Sequence, residues 1–304
     1  TRAHVAQELN ALGIETQIGF HDQKTFDQAS IMVPSPGIPL INEFIRTAST
    51  KGVPIKGELD IFAQYNTLPT IAITGTNGKT TTTSLIGHML TSCGMNPFVG
   101  GNIGTPLVDQ LMGNSKEDII VAEISSFQLD ISNAFKPDVG ILLNISQDHL
   151  DRYKTYKDYE TSKRSIFKNQ SDSDTAILNQ SINGFNTVSK KLKSKIFTFS
   201  SNKNNSNLMG AKIRSSEVEI NIPGSHITIH TDQLKELQGS HNQENIAAAI
   251  LACLAIGADI KKILDGLKSF KNLSHRMEFI KAVNGIDFYN DSKATNTDAV
   301  IRAI

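Results

Sequence analysis

The stretch TIAITGTNGKTTTT at residues 70–83 constrains the fold of this chain more than any other part of its sequence. Five apolar or β-branched residues read as a strand, Gly75 and Gly78 mark a turn, and the threonine-rich segment opening at Lys79 reads as a helix. Strand, glycine turn and helix in direct succession make half of a βαβ unit. In such a loop, backbone N–H groups and the helix N-terminus converge on phosphate oxygens, Lys79 adds a point charge, and the Thr80 hydroxyl can reach a magnesium ion. Gly75, Thr76, Asn77, Gly78, Lys79, Thr80 and Thr81 are therefore candidate phosphate-binding residues. The pattern departs from the usual G-x-x-x-x-G-K, because Ile73 stands where the upstream glycine would be. The competing reading is a glycine turn that merely ends a strand.

Further apolar runs at 119–124 and 139–145 alternate with helical patterns at 79–92, 158–169 and 243–256. Near-continuous apolar strands between helices mark a parallel sheet covered on both faces, so the fold class is α/β. The first sixty or so residues carry a helix at 5–12, a strand at 31–33 and a helix at 41–49, read as the remainder of a small α/β unit whose first strand is missing. From 175 to 229 the strands shorten, and SSNKNNSN at 200–207 reads as a polar surface loop. A helix at 260–270 and a linker at 271–274 precede a new strand and helix from 277 onward. The chain opens at Thr1 rather than Met and stops at Ile304 within an apolar pattern. We therefore expect a fragment.

Length and charge bound the function. The chain has 304 residues, enough for about two domains, with 30 basic and 30 acidic residues and a formal net charge of 0. A nucleic-acid or anionic-membrane surface needs a clustered positive field, so neither partner is expected. Cys93 and Cys253 are too few and too far apart in sequence for a disulfide framework or a cysteine zinc site, which fits a reducing cytoplasm. The longest apolar run, 246–256, is far short of the roughly 20 residues that span a bilayer.

Other candidate residues sit at element ends. Glu123 closes an apolar strand at the carboxyl edge of the sheet, where ligands of open α/β sheets bind and where a carboxylate is a natural magnesium ligand. The alternative is a solvated carboxylate. His149, just past the next strand end, reads either as a capping histidine or as a metal or substrate ligand. Lys163 interrupts an apolar stripe formed by Tyr156, Tyr159, Ile166 and Phe167, and must snorkel outward, pair with an anion or be chemically altered. Ser240 or Asn242 could cap a helix, while Asn242 and Asn245, one turn apart, could both face a ligand. His275 and Arg276, with 290–296 (NDSKATN), are dense in hydrogen-bonding groups and read either as surface turns or as part of a site.

Taken in order, TGTNGKTT, GGNIGTPL, EISSFQL, NISQDHLDRY, the helix lysine of YETSKRSIF, GSHNQENIAAA, SHRME and NDSKATN resemble the Mur ligases of peptidoglycan synthesis over nearly the whole chain. EISSFQL and NDSKATN resemble the D-glutamate-adding branch in particular. The resemblance implies a P-loop-type central ATPase domain at 65–272. It is flanked by a partial Rossmann-like UDP-binding domain at 1–64 and by the start of a Rossmann-like, amino-acid-binding C-terminal domain at 273–304. It implies a cytoplasmic, monomeric enzyme that uses ATP to activate UDP-N-acetylmuramoyl-L-alanine as an acyl phosphate, which D-glutamate then attacks.

By the same resemblance Lys79 and Thr80 hold the ATP phosphates, and Thr80 and Glu123 serve one magnesium. His149 and Lys163 serve a second, with Lys163 carbamylated. Asn245, Arg276 and Asp291 bind the nucleotide, with Lys293 and Thr295 nearby. Asn102 and His149 touch the UDP-sugar, and Ser35, Pro36 and Gly37 border the uracil. The rival readings are a sibling ligase or folylpolyglutamate synthase that adds another amino acid, and a non-catalytic nucleotide-binding module.

Overall fold

The structure is a computed structural model, and it describes residues 2–113, 116–148, 152–201, 209–234, 236–237, 239–276, 278–294, 297 and 300–301. The chain divides into two compact units, 1–58 and 59–304. In the first, helices α1 (Arg2–Ala11), α2 (Gln23–Asp27) and α3 (Glu43–Thr50) accompany a small core of Met32, Ile45, Ala48 and Val53. Asp22 and Asn42 cap α2 and α3 by accepting from the amides of Lys24 and Phe44. The strand expected at 31–33 is reduced to one parallel bridge between Met32 and Ile55. With only that bridge, the segment stays outside regular strand geometry.

The second unit begins within α4 (Glu58–Tyr65), at Leu59, and continues through β1 (Thr70–Thr74), α5 (Lys79–Ser92), β2 (Pro97–Gly101), α6 (Leu107–Gln110), β3 (Ile119–Glu123), α7 (Ser126–Ile131) and β4 (Val139–Leu142). Next come α8 (Tyr156–Arg164), β5 (Thr175–Asn179), α9 (Phe185–Ser189), β6 (Lys195–Ser200), β7 (Gly210–Arg214), β8 (Glu217–Ile222) and β9 (Ser225–His230). It closes with α10 (Ser240–Ala255), α11 (Ile260–Ser269), β10 (Glu278–Val283) and β11 (Ile286–Asn290). Among the described residues, β1 to β9 form one nine-stranded sheet in the order β2-β3-β1-β4-β5-β6-β7-β8-β9. It is parallel from β2 through β7, and β8 and β9 are added antiparallel.

Both faces are covered, as continuous apolar strands require. Ile71 and Ile73 of β1 project into a core made with α5, α10 and α11, whereas Ala72 projects the other way, into a core with Leu59 and Phe62 of α4 and Ile166 and Phe167. Helix α10 is the centrepiece of the first core, with every residue from Ile246 to Cys253 buried.

Several expected bounds shift for identifiable reasons. β4 stops at Leu142 instead of continuing to 145: Leu143 N–H makes the last bond to β1, at Thr74 C=O, and Asn144 and Ser146 then bond Thr76 and Asn77 of the loop after β1, where no strand runs. α8 begins at Tyr156, where Thr155 and Asp158 form a reciprocal capping box, and after Arg164 it tightens into a 3-10 turn at Ser165–Phe167. β2 is not among the strands read from the sequence, and Gly101 is required in it: its φ is 102°, and a Cβ there would lie 2.5 Å from Glu123 C=O. β10 and β11 form a separate antiparallel hairpin across Asn284 and Gly285, both at positive φ. The polar loop at 200–207 lies almost wholly outside the described residues.

Asp174 anchors the approach to β5. It is 3% exposed, accepts from Ser171 N–H (2.6 Å) and Oγ (2.8 Å), and both its oxygens accept from Lys136 Nζ (2.9 Å each). Burial alone would raise its pKa, but these bonds from Ser171 and Lys136 outweigh burial and hold the carboxyl below the ordinary carboxylate value. The stabilisation is therefore full above the unfolded value of about 3.9 and is lost as pH falls through the lower folded value. Asp174→Asn is expected to cost about 1–3 kcal/mol at pH 7 in chemical denaturation. The gap to wild type should shrink below about pH 4, and a gap unchanged down to pH 2 would count against this account.

Candidate functional site

β3, β1 and β4 are adjacent and parallel, so their carboxyl ends meet at one edge of the sheet. The loop after β1 runs along that edge, and Gly78 is the N-cap of α5, at φ 84°. Only glycine suits this position, since a Cβ would also fall 2.3 Å from Asn245 Oδ1. Asn245 is thus packed directly on the loop from the first turns of α10, and its Nδ2 donates to Asn242 Oδ1 (3.1 Å). The cap expected from Ser240 or Asn242 is not formed: the N-cap of α10 is Gly239, which has no side chain to offer.

The loop has two halves. In the first, Thr76 N–H donates to Asn144 Oδ1 and C=O (3.1 Å each), Asn77 N–H donates to Asn144 Oδ1 (2.9 Å), and Asn144 Nδ2 donates to Asn77 C=O (3.0 Å). Thr76 Oγ1 accepts from Ser146 N–H (3.0 Å), donates to Ser146 C=O (3.2 Å) and lies 3.1 Å from the Tyr159 hydroxyl. With the single threonine proton given to Ser146, Tyr159 is the donor in that last bond. The amides of Thr76 and Asn77 therefore face the exit of β4, not the open side of the loop where they were expected. In the second half, no side chain caps α5, and among the described residues the amides of Gly78, Lys79, Thr80 and Thr81 have no acceptor. These are the donors left for an anion.

Charged groups gather beside them. Thr80 Oγ1 donates to Glu123 Oε2 (2.7 Å) and accepts from Arg276 (2.9 Å). Glu123 is 2% exposed, and its other oxygen accepts from Asn102 Nδ2 (2.9 Å) while its C=O accepts from Asn102 N–H (2.8 Å). Lys79 Nζ folds back on Gly75 C=O (3.0 Å) and Thr76 C=O (2.8 Å). Burial holds its amine below the usual lysine value, opposed by Glu123 and Asp148 and reinforced by Arg276.

Lys163 is also 2% exposed, so outward snorkelling does not occur. Its Nζ donates to Gly75 C=O (2.7 Å) and lies 4.7 Å from the centre of the Tyr159 ring. Burial drives its pKa well down, and the nearby Lys79 ammonium drives it further. The same burial raises the Tyr159 phenol and pushes Tyr153 up to about 12.

The structure thus brings together Gly75 to Thr81, Asn102, Glu123, Lys163, Asn245 and Arg276. Asp291, half-buried, and Lys293, exposed, lie in the turn after β11, where Lys293 N–H donates to His275 C=O (3.2 Å). Ser35, Pro36 and Gly37 belong to the first unit, in a turn closed by Ile38 N–H on Ser35 C=O (2.9 Å). His149 and Thr295 lie outside the described residues. Among those described, no group of three His, Cys, Asp or Glu is arranged to hold a metal, and no helix is long and apolar enough to cross a membrane.

Sequence reasoning passed over two contributors. Asn144 carried a usable signal, a polar amide where an apolar strand ends on the ligand-binding edge. Tyr159 was counted as apolar only, although it stands one turn before Lys163 on the same helix face.

Residues 73–253 match the model of the Mur ligase middle domain. The chain is 42% identical over 293 residues to the UDP-N-acetylmuramoylalanine--D-glutamate ligase of Desulfosudis oleivorans, covering 96% of this chain and 63% of that protein. It therefore spans less than two thirds of that relative's length. Among solved structures, MurF from Acinetobacter baumannii has the same fold at 19% identity, with a TM-score of 0.64 over 93% of this chain and 69% of that one. MurF from Thermotoga maritima, solved in complex with ADP, matches at 20% identity and a TM-score of 0.59 over 86% of this chain and 67% of that one. With more than half of its residues matched by the middle-domain model and a relative this similar, the chain belongs to the Mur ligase family.

Proposed function

We propose that this chain is the nucleotide-binding part of a ligase that uses ATP to join D-glutamate to UDP-N-acetylmuramoyl-L-alanine, a cytoplasmic step of peptidoglycan synthesis carried out by a monomer. The observation that carries the reading is the pairing of the Thr80 hydroxyl with the buried Glu123 carboxylate beside Lys79, at a helix N-terminus whose first amides are unbonded. The name of the Desulfosudis relative and the ADP bound to the Thermotoga protein support it. The domain plan 1–64, 65–272 and 273–304 belongs to the same proposal.

In this reading the amides of Gly78 to Thr81 and the Lys79 ammonium hold the ATP phosphates, Asn245, Arg276 and Asp291 complete the nucleotide site, and Lys293 and Thr295 lie nearby on the substrate side. A carboxylate oxygen of the UDP-sugar-alanine substrate attacks the terminal phosphorus, ADP leaves, and the resulting acyl phosphate is attacked by the amine of D-glutamate. The amine loses a proton and phosphate departs. Polyphosphate and carboxylate repel each other, so the site's work is to supply positive charge and fixed geometry. Asn102 and His149 would meet the UDP-sugar, and Ser35 to Gly37 the uracil.

Thr80 Oγ1 and Glu123 Oε2 are hard oxygen donors 2.7 Å apart and fit a magnesium ion, which when bound neutralises phosphate charge. A second would fall to His149 and a carbamylated Lys163. The Lys163 amine fits that modification, because burial favours its neutral form, the form that adds CO₂. The carbamate would also keep one N–H for Gly75 C=O.

In the protein expressed from the complete reading frame, phosphate release with ATP and UDP-N-acetylmuramoyl-L-alanine should require D-glutamate. Release only with another amino acid would assign the chain to a sibling branch. Lys79→Ala should lower turnover by at least about a hundredfold without loss of folding, and unchanged turnover would remove the loop from the mechanism. Lys163→Ala should be inactive and partly restored by acetate or formate. Labelled bicarbonate should give a carbamate carbon resonance in wild type that Lys163→Ala lacks, and a wild type without that resonance would refute the carbamate.

A further inference from the structure

We propose that Asn144 is a positioning residue for nucleotide binding: it commits the first half of the loop to the sheet, so that only the amides from Gly78 onward meet phosphate. The inference rests on the reading of this loop as a nucleotide site. All the hydrogen-bonding capacity that the Asn144 side chain turns to the loop is spent on two consecutive residues. Its Oδ1 takes the amides of Thr76 and Asn77 (3.1 and 2.9 Å), and its Nδ2 gives a proton to Asn77 C=O (3.0 Å). At Asn77 the amide acts as both donor and acceptor, a two-point match to a peptide edge that no carboxylate, hydroxyl or alkyl group of similar size reproduces.

The backbone adds to this grip. Leu143 N–H bonds Thr74 C=O (3.0 Å), Thr76 N–H bonds Asn144 C=O (3.1 Å), and a Cβ on Gly75 would stand 3.0 Å from Leu143 Cβ. Residues 143–146 therefore act as a short clasp over 74–77, with Asn144 as its side-chain element. The clasp also sets the geometry of the next residue in the chain. Gly78 is held at φ 84° with Asn245 against its other side, and this left-handed step aims the unbonded first turn of α5 out of the loop. Fixing Asn77 fixes the start of that step. Without the clasp the loop populates more conformations, and a phosphate ligand must restore the order at the expense of its own affinity.

Asn144→Asp isolates the effect. It keeps the acceptor for both amides and the size of the side chain, but places an anionic oxygen against Asn77 C=O. In the 304-residue chain, titration with ADP and magnesium chloride should show binding about ten- to a hundredfold weaker in Asn144→Asp and Asn144→Ala than in wild type. A residue that served only the fold would lower the thermal midpoint of the nucleotide-free chain and leave the dissociation constant of the folded fraction unchanged. That result would overturn the proposal.

Lys79→Ala separates the two readings. If it abolishes binding while both Asn144 variants bind like wild type, Asn144 is dismissed and the loop reading survives; if wild type itself binds no ADP, both fall. Should the variants fail to fold, amide resonances of wild type decide. On ADP addition those of Gly78, Lys79, Thr80 and Thr81 should move strongly and those of Thr76 and Asn77 should stay. Large shifts at Thr76 and Asn77 with none from Gly78 onward would reverse the assignment.

Discussion

Parallel pairing of β1 with both β3 and β4 is the constraint on which the site depends. Parallel strands end on the same edge, so Thr74, Glu123 and Leu142 lead into loops that share one space. The loop after β1 is bonded on one side to the exit of β4, and its helix is met on the other by the carboxylate that ends β3. An antiparallel neighbour would send its carboxyl end to the opposite edge and leave the loop unsupported. Buried strands, bulky on one face and small on the other at Ile71, Ala72 and Ile73, are what make this pairing stable, because each face is closed by helices.

Electrostatics at the edge runs against the ordinary preference of a protein interior. Lys79, Lys163 and Arg276 approach one loop, and burial and the proximity of the first two drive the pKa of Lys163 down. Gly75 C=O accepts from both lysines, a sign that the strand-end carbonyl is serving as a weak substitute for an anion. Glu123 and Asp148 offset part of this charge, and a ligand that brings further negative charge would offset more. A polyphosphate, a carboxylate and a carbamate are all charges of the needed sign, which is why the proposed chemistry and the crowding of cations agree.

How far the sequence reads through to this arrangement depends on the range of the interaction. β1 and α5 lie where the local pattern puts them, because strand, turn and helix signals occupy one continuous segment of the chain. That Lys163 is a special position was also legible, since a lysine on an apolar stripe is a local contradiction that periodicity exposes, but whether it snorkels outward or stays inside was not. What was not legible depends on partners far apart in sequence. Asn144 meets Asn77 across 67 residues, and Arg276 meets Thr80 across 196. β2 was hidden because it is built on Pro97, Gly100 and Gly101, and Gly101 is there so that Glu123 C=O can come close to it. The strand at 31–33 was overcalled for the opposite reason: it has the apolar composition of a strand but, among the described residues, only one bridge to pair with.

The Thr80 hydroxyl condenses these relations into one atom. It has one proton and two lone pairs; the proton is committed to Glu123 and one lone pair to Arg276. One lone pair remains, directed by two partners that are themselves fixed: Glu123 by Asn102, which grips both its side chain and its backbone, and Arg276 by its own backbone in the turn before β10. A cation bound at Thr80 must use the remaining lone pair or displace the guanidinium, and a phosphate drawn to the α5 N-terminus offers Arg276 a stronger acceptor than a neutral hydroxyl. The segment after residue 273 is thus tied to the loop after β1 by a bond that an anion is chemically equipped to replace.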